Sequence, residues 1–232
     1  MTECCFDTRQ ALVSTLVDRI CDLLCDAISK RGSASFLVSG GSSPQAVYEA
    51  LALRELDWSK VTVALVDERW VSRDHLASNE AFIRRSLLTG YAAAANFIGM
   101  KTAADSAEAG LASCEARYEL LPAEVDVCVL GMGSDGHTAS LFPHADGLAQ
   151  AISPACATRC AVIHAIPSAV TGAHTERMSL TLPYLLSARQ RILLITGSEK
   201  YEVYRAAKES GDPVATPISA VLNTDVDVYW AQ

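Results

Sequence analysis

The stretch VLGMGSDGHTASLFP, residues 129–143, places several reactive side chains on a glycine-rich turn. An apolar run ends at Gly131, and Gly133 then precedes Asp135 and His137. A neutral imidazole is a suitable general base near pH 7, and a neighbouring carboxylate can orient the ring or act on the substrate. An ordinary surface loop is the alternative. The glycines and the position directly after an apolar strand favour a catalytic site.

The environment of His137 predicts how its ring is kept neutral. The segment HTASLF is expected to begin a helical turn, and a helix N-terminus disfavours imidazolium. The neighbouring Ser134 is not predicted to be a covalent nucleophile, because GMGSDGH does not match G-x-S-x-G. A histidine that activates water is the simpler scheme. The remaining histidines lack this context: His75, His144, His164 and His174.

Two further turns carry groups that suit an anion, typically phosphate. SGGSSP follows a predicted strand, so the backbone N–H groups of Gly40 and Gly41 and the hydroxyls of Ser42 and Ser43 would favour an anion there. Either serine is expected to cap the following helix. The alternative is an ordinary capped turn, and the motif is neither G-x-G-x-x-G nor a P-loop, so no nucleotide cofactor is implied.

TGSEK, residues 196–200, repeats this arrangement at the start of another predicted helix. Ser198 is expected to act as its cap, and Lys200 stands in the first turn. A lysine is electrostatically unfavourable at a helix N-terminus unless an anion binds nearby. A solvated surface lysine is the alternative to a phosphate-binding one.

The segment VDERW brings a carboxylate and a guanidinium to the end of another apolar strand. Asp67 and Arg69 are expected to face the cleft, where the planar fork of an arginine suits a phosphate or a carboxylate. Arg177, at the start of RMSLTLP, is a further candidate cation. Local ion pairs on a polar rim are the alternative for all three.

The elements that position these turns alternate between strands and helices. Helices are predicted at residues 8–30, 43–52, 78–88, 104–120 and 199–209, and Ser78 is expected to cap the third of them. Strands are predicted in the segments SASFLVSGG, VTVALVDER, VDVCVLGMG, RCAVIHAIP, RMSLTLP, QRILLITGS and VDVYW. This alternation predicts an α/β fold in which a mainly parallel sheet is flanked by helices on both faces, a Rossmann-like three-layer sandwich. In such sheets ligands bind beyond the carboxyl ends of the strands, so the four turns are expected to meet at one edge.

The length and composition of the chain favour one domain spanning residues 1–232. Half of the residues are hydrophobic, and we find no repeat, charge block or long linker; residues 143–158 are the least periodic stretch. The net charge of −8, with scattered Lys and Arg, argues against nucleic-acid binding. No apolar run is long enough for a membrane span and no signal peptide is recognised, so a cytoplasmic location is expected.

The eight cysteines are interpreted as reduced thiols. There is no C-x-x-C pair, and the two C-x3-C pairs lack histidine partners at zinc-site spacing. Cys21, Cys25 and Cys128 lie in apolar periodic segments, where a free cysteine behaves as a small hydrophobic residue. A zinc site is the weaker alternative.

Six segments of the chain, taken in order, resemble the 6-phosphogluconolactonase family: LVSGGSSP, VDERWV, SNEAFIRRSLL, LGMGSDGHTASLFP, ERMSLTLP and TGSEK. The segment PISAVL near the C-terminus also fits this family. The resemblance runs over residues 36–200. It implies hydrolysis of 6-phospho-D-glucono-1,5-lactone to 6-phospho-D-gluconate, the second step of the oxidative pentose phosphate pathway. A lactone is a reactive ester, so no metal or other cofactor is expected, and the family leans towards monomers.

The resemblance also assigns roles. His137 would activate the attacking water with help from Asp135, and Asp67 is included among the catalytic candidates. The glycine turns, with Gly131 and Gly133, would supply N–H groups to the oxyanion. The phosphate would be held by cations and by the first turn: Arg69, Arg177, Lys200, Gly40, Gly41, Ser42 and Ser43.

Two alternatives stay open. Glucosamine-6-phosphate deaminases share the fold, but their pattern after D-G-H reads I-A-F-N-E-P. Phe142 stands here at the place of that glutamate, and the strand end reads D-E-R rather than D-E-Y. Both differences favour the lactonase, although Asp67 belongs to both patterns. A non-catalytic sugar-phosphate-binding protein on the same fold is the other alternative, and the presence of Asp135 and His137 argues against it.

Overall fold

The computed structural model describes residues 2–232, in which strands and helices alternate along most of the chain. In chain order the elements are β1 (Thr2–Phe6), α1 (Arg9–Arg31), β2 (Ala34–Val38), α2 (Gln45–Leu51), β3 (Val61–Leu65), β4 (Asp67–Arg69), α3 (Asn79–Ser86), β5 (Asn96–Ile98), α4 (Ala107–Tyr118), β6 (Val127–Leu130), α5 (Leu148–Ala151), β7 (Cys160–His164), β8 (Glu176–Leu180), α6 (Leu182–Leu186), β9 (Gln190–Thr196), α7 (Ser198–Ser210), α8 (Ile218–Leu222) and β10 (Asp227–Ala231). Short 3-10 helices lie at Trp58–Lys60 and Gly90–Ala94.

The main sheet has seven strands in the order β1-β10-β9-β6-β2-β3-β5, and every neighbouring pair is parallel. All residues of β2 and β6 are buried, as expected for strands covered on both faces. The predicted α/β fold with a mainly parallel sheet and flanking helices is therefore confirmed. The strands β9, β6, β2 and β3 are adjacent, so the turns after their carboxyl ends lie side by side.

A second, antiparallel sheet of three strands has the order β4-β8-β7. VTVALVDER was predicted as one strand, and this is wrong because the chain leaves the main sheet at Val66. The Val66 N–H donates to the Val38 carbonyl of β2, while its own carbonyl accepts from Leu180 at the end of β8. The predicted strands in RCAVIHAIP and RMSLTLP exist, but as β7 and β8 they belong to this second sheet.

The long helix α1 confirms the helix predicted at residues 8–30. The Thr8 hydroxyl caps its first turn by accepting from the Ala11 N–H, and Gly32 ends it in a left-handed conformation. The helix lies against β2, β6 and β10 of the main sheet, and its buried apolar side chains are Leu12, Leu16, Val17, Ile20, Leu24 and Ala27. They belong to one cluster of buried apolar residues that includes Leu16, Ile20 and Leu24.

Helix caps were predicted correctly at one of three places. Ser78 caps α3 by accepting from the Ala81 N–H, as expected. Neither Ser42 nor Ser43 caps α2, because Pro44 occupies the cap position and makes no side-chain bond. Ser198 does not cap α7 either, since it is already the first helical residue and Gly197 precedes it with φ of +88°.

Several short elements were not predicted from the sequence. The edge strand β1 reads TECCF and is largely exposed, so it shows no apolar run. Residues 143–158 were noted only for their lack of periodicity, yet Leu148 and Ala151 of α5 are buried.

The cysteines are free in the part of the chain that the structure describes, which contains all eight. Cys128 is buried and Cys21 is half-buried, but Cys25 is exposed, so the prediction that it behaves as a small hydrophobic residue within an apolar segment is wrong. Among the helices of residues 2–232, none is both long and apolar enough to cross a membrane.

Candidate active site

One cavity of about 450 Å³ opens at the carboxyl ends of the adjacent strands of the main sheet. The four turns singled out in the sequence all contribute to its wall. The residues that line it and were predicted as site residues are Gly40, Gly41, Ser42, Ser43, Asp67, Arg69, Gly131, Gly133, His137, Arg177 and Lys200. Of the predicted set, Asp135 alone does not line the cavity, but it bonds to a residue that does.

Direct hydrogen bonds hold these turns together. The Ser43 hydroxyl lies 3.0 Å from the Thr196 hydroxyl, which joins the first glycine turn to the start of TGSEK. The Ser140 hydroxyl donates to Asp67 Oδ2 at 2.6 Å, which joins the loop of residues 131–143 to β4. Segments separated by more than 70 residues in sequence therefore form one wall.

His137, at the wall of the cavity, is paired with Asp135 behind it. Nδ1 of His137 lies 2.5 Å from Asp135 Oδ1, which also accepts from the His137 backbone N–H at 3.1 Å. A carboxylate at Nδ1 stabilises the tautomer that carries its proton there, so the Nε2 lone pair is available to accept a proton. Burial raises the pKa of Asp135, but the hydrogen bond and charge of His137 lower it more, and the net pKa lies below the usual value.

Backbone conformation explains the glycines of this loop. A Cβ on Gly133 would lie 2.1 Å from two atoms of the His137 ring, so a side chain there would displace the imidazole. Gly136 has φ of +79°, a conformation that favours glycine, and its carbonyl accepts from the Ile218 N–H. The N–H groups of Gly133 and Gly136 are both engaged within the loop.

The prediction of a helical turn after His137 is wrong. Thr138 and Leu141 instead form an isolated antiparallel bridge, and Ala139 between them has a left-handed φ of 49°. Ala139 lines the cavity, so strained backbone is placed at its wall. Orientation of His137 therefore depends on Asp135 and on its ring contacts, not on a helix dipole.

Phe142 contacts two of the residues predicted for the site, His137 and Arg177. Its ring centroid lies 4.2 Å from that of His137, and the guanidinium carbon of Arg177 lies 5.3 Å from the Phe142 centroid. The Phe142 ring therefore contacts both the imidazole and the guanidinium.

The two arginines are held by backbone carbonyls rather than by carboxylates. Arg177 is 3% exposed and donates to the carbonyls of His174 and Thr171. Burial lowers the pKa of Arg177 to about 10, so the guanidinium stays charged at neutral pH. Arg69 donates to the Ala77 carbonyl at 2.7 Å, and its Nε is buried without a hydrogen-bond partner.

The first glycine turn and Lys200 form the other cationic part of the wall. The Gly40 and Gly41 N–H groups donate to no residue within 2–232, which leaves them for a ligand. Burial lowers the pKa of the half-buried Lys200, while Glu199 opposes the shift. Backbone donors and a desolvated ammonium at one end of a cavity suit a phosphate.

Asp67 lies in a network that the sequence did not reveal. It is 6% exposed, and its carboxylate accepts from Ser140 and, at 3.1 Å, from Nδ2 of Asn79. The neighbouring Glu68 accepts from the N–H groups of Asn79 and Glu80 at the start of α3. Burial raises the pKa of Glu68 to about 7, against the effect of these donors.

Some of the residues that line the cavity were missed as site residues. Asn79 was noted only as part of a predicted helix, and Ala169 and Val170 come from a loop with no sequence signal. The pattern S-N-E, which begins with the cap Ser78, is the one feature that could have identified Asn79, because it puts an amide at the first position of a predicted helix.

The comparisons with known proteins agree with this geometry. The family described as glucosamine-6-phosphate isomerases/6-phosphogluconolactonase matches residues 7–230, so the chain belongs to this family. A 6-phosphogluconolactonase of Rhizobium meliloti is 42% identical over 229 residues, which cover 97% of each chain.

Solved structures show the same likeness. A 6-phosphogluconolactonase from Shewanella baltica is 40% identical with a TM-score of 0.94, covering 100% of this chain and 98% of that one. A monomeric glucosamine-6-phosphate deaminase is 19% identical with a TM-score of 0.81, covering 100% of this chain and 98% of that one. The latter similarity shows the fold alone.

Proposed function

We propose that this protein hydrolyses 6-phospho-D-glucono-1,5-lactone to 6-phospho-D-gluconate. The observation that carries the proposal is the His137–Asp135 pair, 2.5 Å apart, beside a cavity that Arg69, Arg177 and Lys200 also line. A base on one side of the cavity suits the ester group of a substrate, and cations with free backbone N–H groups on another side suit its phosphate. The curated relatives at up to 42% identity over nearly the full length carry the same activity in their names.

The reaction begins with water activated by the imidazole. Nε2 of His137 removes a proton as the water oxygen attacks C1 of the lactone, and Asp135 holds the proton on Nδ1 and stabilises the resulting imidazolium. Assistance of this kind accelerates a reaction by about 10²–10⁴-fold. The tetrahedral intermediate carries its negative charge on the former carbonyl oxygen.

Collapse of the intermediate breaks the bond between C1 and the ring oxygen. His137 returns its proton to that oxygen, which becomes the C5 hydroxyl, and the carboxylic acid loses its proton to solvent. Because the N–H groups of Gly133 and Gly136 hold the loop together, we assign the oxyanion to the remaining N–H groups of the glycine turns, including Gly131.

The phosphate is assigned to the cationic wall. Lys200 and the turn from Gly40 to Ser43 are joined through the Ser43–Thr196 contact, so they can hold one group together. Arg69 and Arg177 add charge from β4 and β8. Asp67 is already bonded to Ser140 and Asn79, and we assign it the role of ordering this wall rather than transferring a proton.

Deamination of glucosamine 6-phosphate is the competing function on the same fold. The place of the glutamate in the deaminase pattern is taken by Phe142, whose ring packs on His137 and cannot transfer a proton. This observation favours the lactonase.

A parallel assay of the purified protein decides between the alternatives. We expect rapid formation of 6-phosphogluconate from the lactone, well above its spontaneous hydrolysis, and no ammonia from glucosamine 6-phosphate. Ammonia release would favour the deaminase. Binding of 6-phosphogluconate without any turnover of the lactone would favour a non-catalytic sugar-phosphate-binding protein.

We further propose that the chain acts as a cytoplasmic monomer of one domain, and that the reaction uses no metal or other cofactor. Half-buried and buried thiols such as Cys21 and Cys128 are compatible with a reducing compartment. Light scattering measures the mass directly, and a dimer would contradict the monomer. Activity that survives exhaustive chelation would support the absence of a metal.

A further inference from the structure

Asn79 presents an acceptor to the cavity that no assigned role uses. Its side chain lines the cavity at the first position of α3 and is 3% exposed as a whole. Its Nδ2 donates to the Asp67 carbonyl at 2.9 Å and to Asp67 Oδ1 at 3.1 Å. Both partners are acceptors, so the amide nitrogen must face β4 and the amide oxygen must face away from it.

The oxygen of this amide lies against the first glycine turn. A Cβ on Gly40 would be 2.0 Å from Asn79 Oδ1, which shows how closely the amide approaches the turn and why a glycine is required there. Oδ1 accepts no hydrogen bond from the part of the chain that the structure describes. This oxygen atom is also not fully buried, whereas the Ser39 hydroxyl and Arg69 Nε are fully buried and have no hydrogen-bond partner.

The other polar groups that line the cavity are mainly hydrogen-bond donors, whereas the Asn79 amide oxygen is an acceptor. The phosphate and the oxyanion both require donors, which Lys200, the arginines and the backbone N–H groups supply. An amide oxygen that is held in place and carries no charge is unsuited to an anion and suited to an O–H donor. The lactone has such groups at C2, C3 and C4.

We infer that Asn79 is a specificity-determining residue whose Oδ1 accepts a hydrogen bond from one ring hydroxyl of the substrate. This inference rests on the proposed lactonase activity and adds a contact to the sugar rather than to the phosphate. It also gives the Asn79–Asp67 bonds a function, because they fix the direction of the amide.

The test compares the parent lactone with its 2-deoxy, 3-deoxy and 4-deoxy analogues, each generated in situ from the corresponding sugar phosphate. We expect Asn79→Ala to lower kcat/KM for the parent lactone by roughly 3- to 10-fold, the range for one neutral hydrogen bond. For one of the three analogues the same substitution should have no effect, since the hydroxyl is already missing.

A matched control is Ser78→Ala, which removes the cap of the same helix and the bond to Glu68 but removes no side chain that lines the cavity. It should change kcat/KM for all four lactones by one common factor. Asn79→Ser serves as a second variant if Asn79→Ala does not fold.

The inference is overturned if Asn79→Ala, or Asn79→Ser in its place, lowers kcat/KM for all four lactones equally, as a purely structural role would. Failure of the wild-type protein to hydrolyse the parent lactone is a different result. That outcome overturns the proposed function, and with it this inference.

Discussion

At the scale of single residues, the proposed mechanism depends on the tautomer of His137. The Asp135 carboxylate reaches both the ring Nδ1 and the backbone N–H of His137, so it fixes the ring and its proton together. The helix N-terminus that was predicted to keep this ring neutral does not exist, whereas the contact by which Asp135 was predicted to orient the ring is present.

Asp135→Asn tests this arrangement. An asparagine keeps the shape but can present its own N–H to Nδ1, which favours the tautomer with the proton on Nε2. We expect kcat to fall by about 10²-fold or more with little change in KM. Kinetics at pH 7 measure the loss, and an unchanged kcat would show that Asp135 does not set the tautomer.

The lowered pKa of Lys200 predicts that ligand binding depends on pH. Because burial lowers its pKa, the ammonium loses its proton at a lower pH than an exposed lysine would. Affinity for 6-phosphogluconate, measured by calorimetry, should therefore begin to fall at a pH below the ordinary lysine pKa of about 10.4 as the pH is raised from 7 towards that value. Lys200→Arg keeps its charge over this range, so equal pH dependence in both proteins would contradict the assignment.

At the scale of elements, the site is built where the main sheet and the second sheet separate. Val66 bonds to both sheets, and β4 then carries Asp67 and Arg69 into the cavity. Helix α3 begins on the Glu68 carboxylate, so its first turn is attached to the same strand.

Substitutions at two helix caps can distinguish an effect on stability from an effect on activity. Ser78→Ala and Thr8→Ala each remove a cap and should lower the free energy of unfolding by about 1 kcal/mol. Of the two helices capped by these residues, only α3 borders the cavity, so only Ser78→Ala should also change kcat or KM. Urea unfolding and steady-state kinetics measure both, and equal kinetic effects of the two substitutions would contradict the role given to α3.

The sequence was most informative where the pattern is local. The periodicity of α1, the apolar runs of β2 and β6 and the cap Ser78 follow from neighbouring residues, and all were predicted. The three-residue strand β4 was not separable from β3, because its pairing with β8 joins residues more than 100 positions apart. The polar edge strand β1 was missed for the same reason, since only its partner β10 defines it.

The site shows the same division between local and distant information. The glycine turns, His137 and the cations were found from their residue types and their places at strand ends. Asn79 was not identified, because its importance comes from contacts with Asp67 and Gly40 that only the folded chain creates. The helix expected after His137 fails at Ala139, whose left-handed backbone no local rule predicts.

At the scale of the whole molecule, the described chain packs around one continuous cluster of buried apolar residues. The two sheets share this cluster, with Leu37 of β2 and Met178 of β8 both fully buried in it. We therefore propose that the chain unfolds as one unit, with the site lost together with the fold.

Two independent probes test this proposal. Trp58 is buried near the main sheet, Trp70 follows β4 and Trp230 lies in β10, so their fluorescence reports on different parts of the chain. We expect fluorescence and far-UV circular dichroism to give coincident urea transitions. Two separate transitions would show that the second sheet forms an independent unit.

The central claim is that His137 is the base that activates water for lactone hydrolysis. The most direct measurement is kcat of His137→Ala for the phosphorylated lactone, beside His164→Ala, which removes a histidine that does not line the cavity. We expect kcat to fall by at least about 10²-fold in His137→Ala and to stay unchanged in His164→Ala, with both proteins folded. Activity of His137→Ala within a few-fold of the wild-type value would contradict the assignment.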